Sequence, residues 1–178
     1  VIEDFKRLEH NPSYLTSVHF DVNRISFSSD INEVVRNCDT LIFVTPSPYL
    51  KNHLKKLKEK LHNKFVITAI KGIVPDENLI CSEYFRQVFN VPDDNLAVLG
   101  GPSHAEEVGR GLPTTCVVGA RTRQIAEYLQ EIFMSPVFRV YTTPDMLGVE
   151  LGGALKNVIA LAAGTADGLG YGDNTKAA

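Results

Sequence analysis

Three times within its first 108 residues the chain repeats one order: a short apolar run rich in β-branched side chains, then a loop holding Pro, Gly, Ser or Lys, then a stretch with helical spacing. The runs are TLIFVT (40–45), FVITAI (65–70) and NLAVLG (95–100), followed by helical stretches at 46–61, 71–89 and 101–108. Strands joined through helices return by crossover, which makes neighbours parallel and covers both faces of the sheet. The chain is therefore expected to be α/β, with a mostly parallel, doubly wound sheet. Two more strands are expected at 113–118 (PTTCVV) and 137–141 (VFRVY), with a helix at 122–133 between them. Near residue 30, Asp30 with Glu33 three positions on predicts a capping box that opens a short helix.

From Thr143 the texture changes. The segment TPDMLGVELGGALKNVIALAAGTADGLG has no strand signal and no proline after Pro144, so it predicts one long helix. This divides the chain into residues 1–142, an α/β unit, and residues 143–178, the start of an all-helical domain. Val1 opens the chain, and Ala178 closes it inside what reads as helix, so both ends are expected to be cut from a longer protein.

Charge and composition narrow the function classes. A net charge of −3 leaves no basic excess to neutralise a nucleic-acid backbone, so a small molecule is the expected partner and nucleic acid is not. No apolar run reaches the roughly 20 residues of a bilayer span without charge or glycine breaks, so membrane insertion is not expected. Cys38, Cys81 and Cys116 are odd in number and widely spaced, which fits reduced, packed thiols in a cytoplasmic protein. The five histidines show no ligand spacing, so no metal site is expected. The lysines at 51, 55, 56, 58 and 60 read as a solvated helix face.

The candidate chemistry sits in the loops beyond the strands' carboxyl ends, where open parallel sheets bind ligands. Lys71 follows directly on a strand and is turned by Gly72; it reads either as an ordinary surface lysine or as a point charge for a phosphate or carboxylate. In GGPSHAEEV (100–108), Ser103 stands three residues before Glu106. It reads either as a helix cap alone or, with the double glycine clearing space, as part of an anion or carbonyl site. Lys156 lies on a stripe with Gly152 and Gly153, where it either snorkels to solvent or meets an anion. Two neighbouring lysines lower each other's proton affinity, which would suit Lys156 to acid–base work.

Together, AIKG (69–72), GGPSHAEEV (100–108) and ELGGALKNVIALAAGTADGLGYGDNTKAA (150–178) resemble the bacterial-type NAD(P)-dependent glycerol-3-phosphate dehydrogenases. The opening HNPSYL, SSDINEVV and LIFVTPS are also similar, so the resemblance runs from end to end. It implies a partial Rossmann-like domain followed by the first helix of a substrate-binding helical domain, and a cytoplasmic homodimer using NAD or NADP. The implied reaction interconverts dihydroxyacetone phosphate and sn-glycerol 3-phosphate, feeding phospholipid synthesis. Position by position, the resemblance implies that Lys156 exchanges the proton, Lys71 contacts substrate and cofactor, Gly101 and Ser103 hold substrate, and Ala105 touches the cofactor. It further implies that Thr45 to Ser47 line the dinucleotide groove and that Asn157 helps orient the site. Because the first glycine is Gly72, the usual glycine-rich pyrophosphate turn is absent, and these residues alone are not expected to turn over substrate. Two other readings remain: another two-domain hydroxy-acid reductase, and a non-catalytic α/β module that pairs with a partner chain through exposed sheet edges.

Overall fold

The computed structural model describes residues 1–178. In chain order it holds α1 (Ile2–Leu8), α2 (Ile31–Asn37), β1 (Thr40–Phe43), α3 (Ser47–Leu54), β2 (Phe65–Thr68), β3 (Ile73–Val74), β4 (Leu79–Ile80) and α4 (Cys81–Phe89). There follow β5 (Leu96–Gly100), α5 (Ala105–Gly109), β6 (Thr114–Ala120), α6 (Arg123–Phe133), β7 (Phe138–Thr143), α7 (Met146–Gly168) and α8 (Asp173–Ala177). Five strands form one sheet in the order β1-β2-β5-β6-β7. All pairs are parallel except β5 with β6, which run antiparallel with Gly100 opposite Val117.

The period of two along the strands explains why both faces are covered. Val66 and Leu96 point into one core with Leu50 and Leu54 of α3 and Phe85 of α4. Their immediate successors, Ile67 and Ala97, point into the other core with Val118, Val140 and the α6 residues Ile125 and Leu129. A central strand buried on both sides cannot alternate polar and apolar residues, and β2 indeed carries Val66, Ile67 and Thr68 all buried. The arrangement is Rossmann-like, with a mixed sheet, and a long helix follows it.

Several local expectations are corrected. Residues 71–89 do not form one helix: β3 and β4 make a small antiparallel hairpin before α4 begins at Cys81. The cause is turn chemistry in VPDEN, where Asp76 and Asn78 adopt left-handed backbone (φ 69 and 53). The helix after β1 stops at Leu54, because Lys56 and Leu57 turn back by i to i−3 bonds that bring Leu57 against the core. Asp30 does cap α2, accepting from the Asn32 N–H, but Glu33 does not return the bond; its carboxylate takes the Ser28 hydroxyl at 2.6 Å. Cys81 and Cys116 are buried, whereas Cys38 is exposed and does not pack. Lys51 departs from the solvated face by pairing with Glu77 at 2.6 Å.

β7 ends at Thr143 and α7 begins at Met146, capped by the Asp145 carboxylate on the Gly148 N–H (2.8 Å). At 23 residues α7 is long and apolar enough, by length and composition alone, to cross a membrane. Its first turns instead lie on the sheet. A Cβ on Gly119 would come within 3.0 Å of the Met146 Cα, and a Cβ on Gly100 would overlap Val149. Glycine at those two strand positions is what lets the helix axis approach. After Gly168 the chain leaves the helix through Gly170, at φ +76.

Candidate active site

Because β1, β2 and β5 are parallel, the loops after them open on one edge of the sheet. α7 starts near Gly119 and climbs across β6 and β5 toward that edge. Where it arrives, a cleft of about 790 Å³ is walled by the loop after β2, the loop after β5 and one face of α7. Lys71, Gly101, Ser103, Ala105 and Lys156 all line it, so the five candidate residues meet in one place although 85 positions separate the first from the last.

The α7 face is made by Val149, Gly152, Gly153 and Lys156, positions three and four apart that fall in one row on a helix. Gly153 lies under the Lys71 stem, whose Cγ would be 3.6 Å from a Cβ placed there, while a Cβ at Gly152 would meet nothing within 4 Å. The bare stripe is therefore open space beside a lysine. Lys156 is exposed at the mouth of the cleft, and its Nζ donates to the Asn157 Oδ1 at 3.0 Å.

The Gly101 loop is shaped by the strand beneath it. Gly101 has φ +117, and a Cβ would stand 3.1 Å from both the Cys116 Cα and the Thr115 carbonyl oxygen. This backbone turns Ser103 toward Cys116, whose thiol is raised by burial while the Ser103 hydrogen bond and the Lys71 charge oppose that rise. Ser103 is consequently not a helix cap: α5 starts at Ala105, His104 is its N-cap, and no side chain caps it. With only five residues, α5 offers one turn and little macrodipole, so the expected helix-end anion site is corrected to a loop wall.

Thr45 and Ser47 are not brought into this cleft. Thr45 opens on a separate hollow of about 570 Å³ beside β1, and Ser47 is buried with its Oγ against Gly72. Gly72 (φ +123) has room for no Cβ there, so the turn that aims Lys71 rests on the start of α3.

Sequence reasoning missed three residues around the cleft. His104 and Glu107 line it; both lie within GGPSHAEEV, where the spacing pointed to Ser103 and Glu106 instead. Glu150, one position from Val149, is buried and accepts from the Ser82 N–H (3.0 Å) and the Ser82 hydroxyl. Burial raises its carboxyl above the usual range against the pull of both Ser82 bonds. An acid standing alone in the first half of an apolar, glycine-rich helix was the available signal.

The family profile described as NAD-dependent glycerol-3-phosphate dehydrogenase N-terminus matches residues 1–126, and the profile described as its C-terminus matches residues 145–178. A glycerol-3-phosphate dehydrogenase [NAD(P)+] of Fusobacterium nucleatum is 50% identical over 155 residues, covering 86% of this chain and 46% of that protein. One from Clostridium perfringens is 41% identical over 179 residues, covering 100% of this chain and 53% of its own length. The chain thus spans about half the length of the curated relatives it matches. Among solved structures, the glycerol-3-phosphate dehydrogenase of Plasmodium falciparum superposes with a TM-score of 0.87 at 29% identity, over 99% of this chain and 49% of that one. That of Coxiella burnetii gives 0.79 at 28%, over 99% and 53%.

Proposed function

The chain belongs to the NAD-dependent glycerol-3-phosphate dehydrogenase family, and from that premise we propose that the protein containing it interconverts dihydroxyacetone phosphate and sn-glycerol 3-phosphate with NAD or NADP. The observation that carries the reading is the convergence of Lys71, Ser103 and Lys156 on one glycine-walled cleft at the ligand-binding edge of the sheet.

The cleft fits both a flat cofactor ring and a small phosphate ester. Gly152 leaves open space on one wall and Gly101 brings main chain close on another, so a ligand can lie against backbone. Lys71 and Ala105 are the residues we assign to the cofactor, and Lys71, Gly101, Ser103 and Lys156 to the substrate. When bound, the nicotinamide supplies the hydride exchanged with the substrate's central carbon.

The rest is done by side chains of this chain. As the ketone carbon is reduced, negative charge grows on its oxygen, and the Lys156 ammonium donates a proton to that oxygen from Nζ; in the oxidative direction the neutral amine takes it back. Asn157 Oδ1 holds the ammonium at the mouth of the cleft until the substrate oxygen replaces it. The Ser103 hydroxyl and the Lys71 cation contribute a donor and a fixed charge for the substrate's polar end. The residues at 1–142 form the dinucleotide-binding part and those from 143 begin the substrate domain; the working protein is a cytoplasmic homodimer that supplies glycerol 3-phosphate for phospholipid synthesis.

The test is the fall in reduced-nicotinamide absorbance when the full-length protein meets dihydroxyacetone phosphate. Lys156→Ala should lower kcat by about 10²-fold or more with substrate KM changed far less. No turnover by the full-length protein defeats the assignment of reaction, and wild-type kcat in Lys156→Ala defeats the assignment of the proton carrier.

A further inference from the structure

α4 begins without a cap of its own. Its N-cap is Ile80, whose side chain accepts nothing, yet the Ser82 N–H in its first turn is buried and bonded at 3.0 Å to Glu150 Oε1, while the Ser82 hydroxyl donates to Oε2. A first-turn amide needs an acceptor, and here it is supplied by α7, 68 positions along the chain.

The direction of this contact matters because of where Glu150 sits. Side chains on a helix advance by about 100° per residue, so Glu150 and Lys156, six positions apart, diverge by about 120°. One is turned inward to α4 while the other is turned to the cleft. The other contacts that seat α7 on the sheet are made by Val149 and Met146 over Gly100 and Gly119, and such apolar contacts have no preferred direction. They hold the helix axis on the sheet, and two hydrogen bonds from Ser82 to one buried carboxyl fix its roll more tightly than they do.

We propose that Glu150 is a positioning residue for Lys156: locked to Ser82 at the start of α4, it sets the roll of α7 so that the stripe of Gly152, Gly153 and Lys156 faces Lys71 and the Gly101 loop. In its kinetic consequence the proposal rests on Lys156 being the proton carrier. A misrolled α7 keeps the cleft but moves Nζ away from the substrate oxygen, so the loss falls on turnover and not on cofactor affinity.

The experiment uses the full-length protein and two readouts. The first is kcat and the KM for each substrate. The second, independent of activity, is the yield of a Lys71–Lys156 bridge formed by a short amine-to-amine crosslinker and read by mass spectrometry. Glu150→Ala should lower kcat by about tenfold or more and leave the cofactor KM within about twofold, while the bridge yield falls in parallel. Glu150→Gln keeps Oε1 for the Ser82 N–H and presents an amide to the Ser82 hydroxyl, so both readouts should return to near wild type. If Glu150→Ala does not accumulate as folded protein, Glu150→Asp, with its oxygens set back by one methylene, should show the same two losses in smaller degree. Wild-type kcat and bridge yield in a folded Glu150→Ala or Glu150→Asp would overturn the proposal and leave Glu150 as a helix cap only. Failure of the wild-type protein to turn over dihydroxyacetone phosphate counts against the proposed reaction alone, because the bridge yield still reports on the lock.

Discussion

Gly101→Ala is the substitution whose cost the structure defines best, provided it is measured against Gly111→Ala. At Gly101 the backbone has φ +117, and the new methyl would lie 3.1 Å from the Cys116 Cα and 3.1 Å from the Thr115 carbonyl oxygen. Both are main-chain atoms of β6, a strand bonded to β5 on one side and β7 on the other, so neither can swing away as a side-chain tip would. Holding a non-glycine residue in such a region costs about 1–3 kcal/mol, and forcing a methyl into packed surroundings costs about 1–3 kcal/mol more. At Gly111 the backbone is also left-handed (φ +73), but a Cβ meets nothing within 4 Å, so that variant bears only the backbone part, about 1–2 kcal/mol. The difference between the two is mostly the steric part, with up to about 1 kcal/mol added by the costlier backbone at Gly101. Urea unfolding should give Gly101→Ala a free energy lower than Gly111→Ala by about 1–3 kcal/mol with m unchanged. Because relief comes most easily by lifting the Pro102–Ser103 turn off Cys116, kcat/KM should fall in Gly101→Ala and remain near wild type in Gly111→Ala. Stabilities that agree within about 0.5 kcal/mol would refute the steric reasoning, since extrapolation error is of that size.

Gly152→Ala should act in opposite directions on stability and activity: the helix interior gains about 0.5–1 kcal/mol, raising Tm by roughly 1–4 °C, while the methyl enters the cleft beside Lys156 and lowers kcat/KM. A destabilised variant, or one with unchanged kcat/KM, would show that this stripe is not ligand space. Stability should also fall at alkaline pH. Burial, with the Glu150 charge adding to it, pushes the Cys81 thiol up to about 12 from its ordinary 9.0. Between those values the unfolded chain has lost the proton and the folded chain keeps it, so unfolding free energy drops as pH rises, by at most about 1.4 kcal/mol per unit. Burial raises the Tyr84 phenol as well and adds in the same direction above its ordinary 10.0. Denaturant titrations from pH 8 to 11 on wild type and Cys81→Ala check this, with a shallower slope expected in the variant.

How much of this was legible in the residues differs from element to element for physical reasons. The sheet was readable because successive residues such as Val66 and Ile67, or Leu96 and Ala97, are all apolar, and only a strand covered on both faces tolerates that. The antiparallel turn between β5 and β6 was not, since β-rich runs look alike in either direction. Ser103 satisfied the spacing of a capping box, yet a backbone fact decided its role: the φ of Gly101 throws the turn onto β6. The hairpin before α4 escaped because each of its strands is two residues long, too short for any period to show.

The hardest discrimination lies on a single helix. Glu150 and Lys156 are both isolated charges among alanines, glycines and aliphatics, and local chemistry treats them alike. One is buried and twice bonded; the other stands at a cleft mouth with an amide oxygen as its partner. What separates them is the rotation of α7 about its own axis, and that is set by residues far away in sequence: Gly100 and Gly119, which admit the helix, and Ser82, which meets the acid. A charge that reaches solvent costs little wherever it stands, whereas a buried one must find donors. The acid is therefore the residue with only one acceptable orientation, and the lysine points where that orientation leaves it.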